Sequence, residues 1–205
     1  MSAEPETAGG SPAGRETWLY AQSPRPAGLP VAFRIRGRAL EVERMARTDR
    51  FPLDRVEAVR LTFETRSFAP AQLTAKLIFE GGRTVKITSV DYTSLVNAKR
   101  KDAEYGRFMR ELLARIGRYS PGARLLAGRS WPVWAITAVV AVGIVLGLAI
   151  VGWQALAQGE PVVALLAIVV AGLGIWQLEP MVRHNKPRTF APDAPPPALV
   201  PPAAP

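Results

Sequence analysis

The chain has no cysteine and one histidine, His184, in 205 residues. Without cysteine it forms no disulfide, iron–sulfur cluster or Cys-ligated zinc site. A single histidine argues against a His-based metal site or a Ser–His–Asp triad. Gly-x-Ser-x-Gly, the phosphate-cradling Gly-x-x-x-x-Gly-Lys-Ser/Thr run and Gly-x-Gly-x-x-Gly after a strand are all missing. Asp49 with Asp54, and Asp91 with Tyr92, have no partner nucleophile or base in sight and read as turn residues. Catalytic activity, a cofactor and a small-molecule substrate are therefore not expected. Charge is scarce in one region only. Between Ser130 and Leu178 the single ionisable side chain is Glu160, whereas 23 basic and 14 acidic residues precede Ser130.

The charge-free stretches are two apolar runs, 131–153 and 162–178. At about 1.5 Å per residue they span about 34 and 26 Å as helices, against a hydrocarbon core of about 30 Å. Joined by 154–161, they predict a transmembrane hairpin. Trp131, Trp134, Trp153 and Trp176 lie at the run ends, where an indole is satisfied at headgroup level. Arg115, Arg118, Arg124 and Arg129 precede the first run, and Arg183, Lys186 and Arg188 follow the second. The joining loop has no Lys or Arg, so it is expected in the periplasm, with both termini cytoplasmic and the chain in the cell (inner) membrane. The first residues contain no apolar segment of the kind a cleaved signal peptide carries. Neither run holds an ionisable group, which argues against a transporter, proton pump or intramembrane protease. Small residues mark helix-packing positions: Gly143 and Gly147 in the first run, Ala164, Ala167 and Ala171 in the second. They suit either a homodimer face or packing of the two runs against each other.

Before the hairpin the period of hydrophobicity is two. Residues 1–16 are polar and rich in Pro, Gly and Ala, and are expected to be disordered. Seven candidate strands follow, at 17–22, 31–36, 39–45, 49–53, 56–65, 72–79 and 84–89. Val31, Phe33 and Ile35 share one face with Leu40 and Val42; Val59, Leu61, Phe63, Leu73, Ala75, Leu77, Phe79, Val85 and Ile87 continue the inward set. Glu80-Gly81-Gly82-Arg83 marks a hairpin turn. The period then becomes helical over 102–118, where Tyr105, Phe108, Met109, Leu112, Leu113 and Ile116 form one stripe. Residues 119–130 read as a basic linker. The segment 179–205 reads as a Pro-rich cytoplasmic tail, extended and unpacked, since nine of the last 26 residues are proline.

Seven antiparallel strands closed by one C-terminal amphipathic helix resemble the pleckstrin-homology-like (PH-like) fold. The stretch FRIRGRALEVERMARTDRFPLDRVEAVRL is similar to the front half of bacterial PH-like domains attached to membrane spans, and ITSVDYTS with YGRFMRELLARI resembles their last strand and capping helix. The resemblance covers about 17–118 and implies a binding or scaffolding module. The clustered basic residues of phosphoinositide-binding members are absent from the loop between the first two strands, where only Arg25 stands. The expected fold class is thus α+β: a mainly antiparallel PH-like domain of about seven strands capped by a helix, then a two-helix transmembrane hairpin.

From Ala98 to Ser130 stand nine basic and three acidic residues. Lys99, Arg100, Lys101, Arg107, Arg110, Arg115, Arg118, Arg124 and Arg129 form a candidate lipid-surface segment, because anionic headgroups attract each such charge by about 1 kcal/mol. The bland alternative is that they set topology and solvate the helix. Membrane lipids are the expected partners, with a membrane protein or a second copy as the other partner class. Nucleic acid is not expected, since no aromatic-interleaved basic sheet or helix-turn-helix pattern is present. The leading reading is a non-catalytic membrane scaffold, and the alternative is an accessory subunit of a larger membrane complex.

Overall fold

A computed structural model describes residues 18–23, 29–45, 47–66, 69–92 and 98–202. The expected disorder of 1–16 and the loop residue Arg25 lie outside these. Strands β1 (Trp18–Gln22), β2 (Val31–Arg36), β3 (Ala39–Arg44) and β4 (Arg47–Pro52) form one antiparallel sheet in that order. After a 3-10 turn come β5 (Val56–Arg66), β6 (Ala69–Phe79) and β7 (Thr84–Thr88), an antiparallel meander in a second sheet. A small hairpin of β8 (Val90–Tyr92) and β9 (Ala98–Arg100) leads into helix α1 (Asp102–Tyr119). Strand β10 (Arg124–Ala127) then joins the second sheet. Helices α2 (Trp131–Ala157) and α3 (Pro161–His184) make the hairpin, and β11 (Arg188–Thr189) closes the sheet as β11-β10-β5-β6-β7. The architecture is α+β, with mainly antiparallel sheets and a C-terminal apolar two-helix hairpin.

The alternation of apolar and polar residues explains the strands. Phe33, Ile35, Leu40, Val42, Val59, Leu61, Leu77 and Ile87 are buried, and one apolar core gathers them with Tyr105, Phe108, Met109, Leu112, Leu113 and Ile116 of α1. Each large apolar side chain so covered contributes about 1.5–3 kcal/mol. The outer face of β2 and β3 carries the pairs Arg34–Glu43 at 3.1 Å and Arg36–Glu41 at 4.0 Å. Between β6 and β7, Gly81 and Gly82 both take positive φ (76° and 74°), which the turn requires and a side chain resists.

Polar groups tie the first sheet to the second. The Tyr20 hydroxyl donates to the Thr88 carbonyl at 2.6 Å, and Gln22 Oε1 accepts the Thr88 N–H at 2.7 Å. Burial, reinforced by Glu104 and nearby Asp carboxylates, pushes the Tyr20 phenol far above its ordinary range, so it stays a donor. Tyr105 is also buried, but among the described residues its hydroxyl has no hydrogen-bond partner. Tyr20→Phe is therefore expected to cost about 1–2 kcal/mol, because the Thr88 carbonyl loses its donor, and Tyr105→Phe to change stability by less than about 0.5. Denaturant titration of the full chain in detergent, followed by near-UV circular dichroism, measures both. Equal losses would mean that the Tyr105 hydroxyl is bonded.

Four strands exceed the expected seven. Asp91 is not a turn residue but sits in β8, where it accepts the Ser23 N–H at 2.8 Å and pairs with Lys101 at 2.8 Å. Burial alone would raise its carboxyl; Lys101 and the Ser23 N–H outweigh that and hold it below the usual carboxylate range. The segment 119–130 is not merely a linker. It carries β10, which runs parallel to β5 and places Leu125 and Ala127 in the core.

The tail differs most from expectation. It is packed as far as it is described. β11 pairs with β10, the Phe190 N–H donates to the Leu125 carbonyl at 3.2 Å, and Leu199 and Val200 enter the core at 1% and 2% exposure. Two glycines of α1 make room for it. A Cβ on Gly117 would meet Pro192 at 2.7 Å, and one on Gly106 would collide with the Pro201 backbone. Arg110 donates to the Pro201 carbonyl. A proline-rich chain has few backbone donors to satisfy, so it can lie against a helix on apolar contacts and a few carbonyl bonds.

The hairpin helices exceed the apolar runs. α2 continues to Ala157 and α3 passes through Pro180 to His184, leaving 158–160 as the turn, with Gly159 at φ 77°. At about 1.5 Å per residue they measure about 40 and 36 Å, enough for the hydrocarbon core. Their flanks are uncovered: Ile136 is 64% exposed, Val139 70% and Ile168 64%. A helix buried in a soluble core would hide those side chains. Both helices are long and apolar enough to cross a membrane.

Candidate functional site

The hairpin is joined to the β domain by one buried side chain. Asn185, the residue after α3, is 1% exposed. Its Oδ1 accepts the Phe63 N–H at 2.9 Å, and its Nδ2 donates to the Phe63 carbonyl at 2.7 Å and the Met181 carbonyl at 3.0 Å. The amide thus acts as a short extra strand against β5, matching both backbone groups of one residue. Gly128, at φ 82°, lets the chain between β10 and α2 pass against the carbonyls of Asn185 and Lys186, where a Cβ would collide. The Arg129 N–H donates to the Asn185 carbonyl at 3.0 Å, and Trp134 Nε1 to the Val182 carbonyl at 2.9 Å. The His184 ring lies 5.2 Å from that of Phe63.

Beside this joint lies a cleft of about 380 Å³ whose wall includes Arg60, Arg129, Arg188, Ser130, Trp131 and Thr189. Three distant segments supply the arginines. Arg60 stands on the outer face of β5 and donates to the Gly128 carbonyl at 3.2 Å. Arg129 lies in the turn before α2, and Arg188 in β11 opposite Ala127. No acidic side chain lines the cleft, and among the described residues none of the three arginines is in an ion pair. Ser130 is the N-cap of α2 and its hydroxyl makes no capping bond. Trp131, the first residue of α2, is 68% exposed. The cleft therefore sits where the apolar hairpin begins.

Of the nine basic residues singled out in sequence, Arg129 alone lines this cleft. Lys99 and Arg100 are in β9 and Lys101 caps α1; Arg100 pairs with Asp102, and Lys101 with Asp91. Arg115 pairs with Glu111 at 2.5 Å, and Arg110 is held by the tail. Arg107, Arg118 and Arg124 are exposed, and so is Lys99. Arg124 opens β10, three residues before Ala127, and so lies about 10 Å farther from the hairpin along the strand. Arg60 and Arg188 were not among the nine, since nothing local in the sequence marks them as neighbours of Arg129.

The small residues divide. Ala164 and Ala167 are buried between the two helices, with Ala171 half-buried, and a Cβ on Gly152 would touch Ala167 at 3.6 Å. Gly143 and Gly147 are exposed, and a Cβ on either would meet nothing within 4 Å. Within the hairpin the two helices meet at the alanines and not at the glycine pair. Among the described residues no group of three His, Cys, Asp or Glu side chains comes together as a metal site would need. Comparison with family models, curated proteins and solved structures gives no match.

Proposed function

We propose that the chain is an integral membrane protein whose PH-like domain is a non-catalytic binding and scaffolding module, held against the cytoplasmic leaflet by the hairpin. The observation that carries this reading is the Asn185 joint. A domain clasped through both backbone groups of Phe63, with the Arg129 N–H bonded to the Asn185 carbonyl, presents a fixed face to the surface its hairpin enters. A flexible linker would not do so. Two mainly antiparallel sheets packed with α1 in one core support the PH-like assignment at the level of architecture. The basic residues flanking the apolar helices support the cytoplasmic orientation.

Reporter fusions test the orientation. A reporter active only in the periplasm should be silent at residue 120 and at the C-terminus, and active when inserted at Gln158. Activity at either cytoplasmic position would overturn the assignment.

The second reading, an accessory subunit of a larger complex, draws on the open Gly143 and Gly147 face, where another helix could approach closely. A stoichiometric protein partner in the native mass of the detergent-extracted chain would favour it over the scaffold acting alone.

A further inference from the structure

We infer that the cleft between Arg60, Arg129 and Arg188 binds a phosphate group, and that its source is the headgroup of an anionic phospholipid. The inference rests on the proposed membrane insertion of the hairpin, which puts Trp131 at headgroup level.

Three features carry it. First, three arginines line one cleft with no acidic residue among them. Like charges gathered in this way repel unless an anion joins them, and the guanidinium fork matches two phosphate oxygens at once. Arg60 is also pre-oriented: its bond to the Gly128 carbonyl uses one N–H and leaves the rest of the fork available. Second, α2 begins at the same place. Pro132 removes one N–H from its first turn, but the positive end of the helix and the uncommitted Ser130 hydroxyl remain. Third, the volume of about 380 Å³ lies within the range of small-ligand clefts, about 300–1,000 Å³. Exposed Trp131 on the rim continues into the apolar flank of α2, where the acyl chains of a bound lipid would run. Phosphatidylcholine also carries a phosphate, but its ammonium group meets three arginines and no carboxylate, so an anionic headgroup is preferred.

The test uses the full chain in nanodiscs of phosphatidylcholine with or without phosphatidylglycerol, and reads retained lipid by native mass spectrometry. The wild type should retain phosphatidylglycerol in preference to phosphatidylcholine. With R60Q, R129Q and R188Q combined, retention should fall about 100-fold, at about fivefold per charge. R107Q with R118Q removes two exposed charges of α1 outside the cleft and should leave retention unchanged. Should the triple variant misfold for want of the Arg60 bond, R129Q with R188Q carries the test with a smaller fall.

A second arm adds inorganic phosphate to nanodiscs of phosphatidylcholine alone and follows thermal unfolding. Stabilisation of the wild type but not of the cleft variant, without phosphatidylglycerol retention, would keep the phosphate site and overturn its lipid source. Equal loss in the cleft and α1 variants, or no loss in either, would overturn the inference. The reporter fusions read orientation and this experiment reads occupancy, so the two readings fail separately.

Discussion

Leu199→Ala is expected to destabilise the β domain by about 2–5 kcal/mol, although it lies in a proline-rich tail. Leu199 is 1% exposed and belongs to the same core cluster as Phe108 and Leu112. Truncating it removes buried methyl groups and leaves a cavity that its neighbours refill only in part. The loss has a ceiling, since the tail can detach once its docking energy is spent. Gly106→Ala approaches that ceiling from the other side, because its new Cβ collides with the Pro201 backbone. The two changes act on one docking event, so together they should cost less than their sum. Asp193→Ala, an exposed tail change, should stay within about 0.5 kcal/mol. Denaturant titration of the full chain, with limited proteolysis of the tail, measures all four. If Leu199→Ala were as mild as Asp193→Ala, the tail would be the unpacked segment its composition suggests.

Proline content predicts an extended backbone, and on that point it is a sound guide, since among the described residues no helix follows His184. It says nothing of whether the extended chain is covered. The available signal was the run Leu199-Val200 together with Phe190, large apolar residues that a solvated tail has no use for. The strands show the opposite case. β2, β3, β5, β6 and β7 alternate over five residues or more, so the period of two is visible and their inward residues are the buried ones. β10 is only four residues long and pairs in parallel with a strand more than sixty residues earlier, and neither its length nor its partner can be read locally.

The candidate site was legible only in part for the same reason. Nine basic residues adjacent in sequence suggested one surface, yet folding spends Arg100, Lys101, Arg110 and Arg115 on intramolecular partners. Folding brings Arg129 instead to Arg60 and Arg188, which come from strands on either side of β10 in the sheet. Charge counting finds an excess, but sheet order decides which charges meet.

Asn185→Ala should separate the fold of the domain from its attachment to the hairpin. The substitution removes the donor to the Phe63 carbonyl and the acceptor of the Phe63 N–H, at 2.7 and 2.9 Å. Each partly buried backbone group left without its partner costs about 1–3 kcal/mol, so the joint should weaken by about 2–5. Asn185→Asp is the sharper companion. A carboxylate still accepts the Phe63 N–H, but it faces the Phe63 and Met181 carbonyls with no donor to offer either. It should therefore rescue little or nothing, whereas a side chain needed only for its volume would tolerate the exchange. Hydrogen exchange gives the local readout. In the wild type the Phe63 amide is held by Asn185 and should exchange slowly. In both variants it should exchange faster by a factor of about 30 or more, while the Leu77 amide, paired inside the sheet, should change little. If Leu77 sped up equally, Asn185 would be supporting the whole domain. If neither changed, the domain would be held to the hairpin by the Gly128 N–H bond to the Leu61 carbonyl and the Arg60 bond to the Gly128 carbonyl, and the fixed presentation of the arginine cleft would have to rest on those.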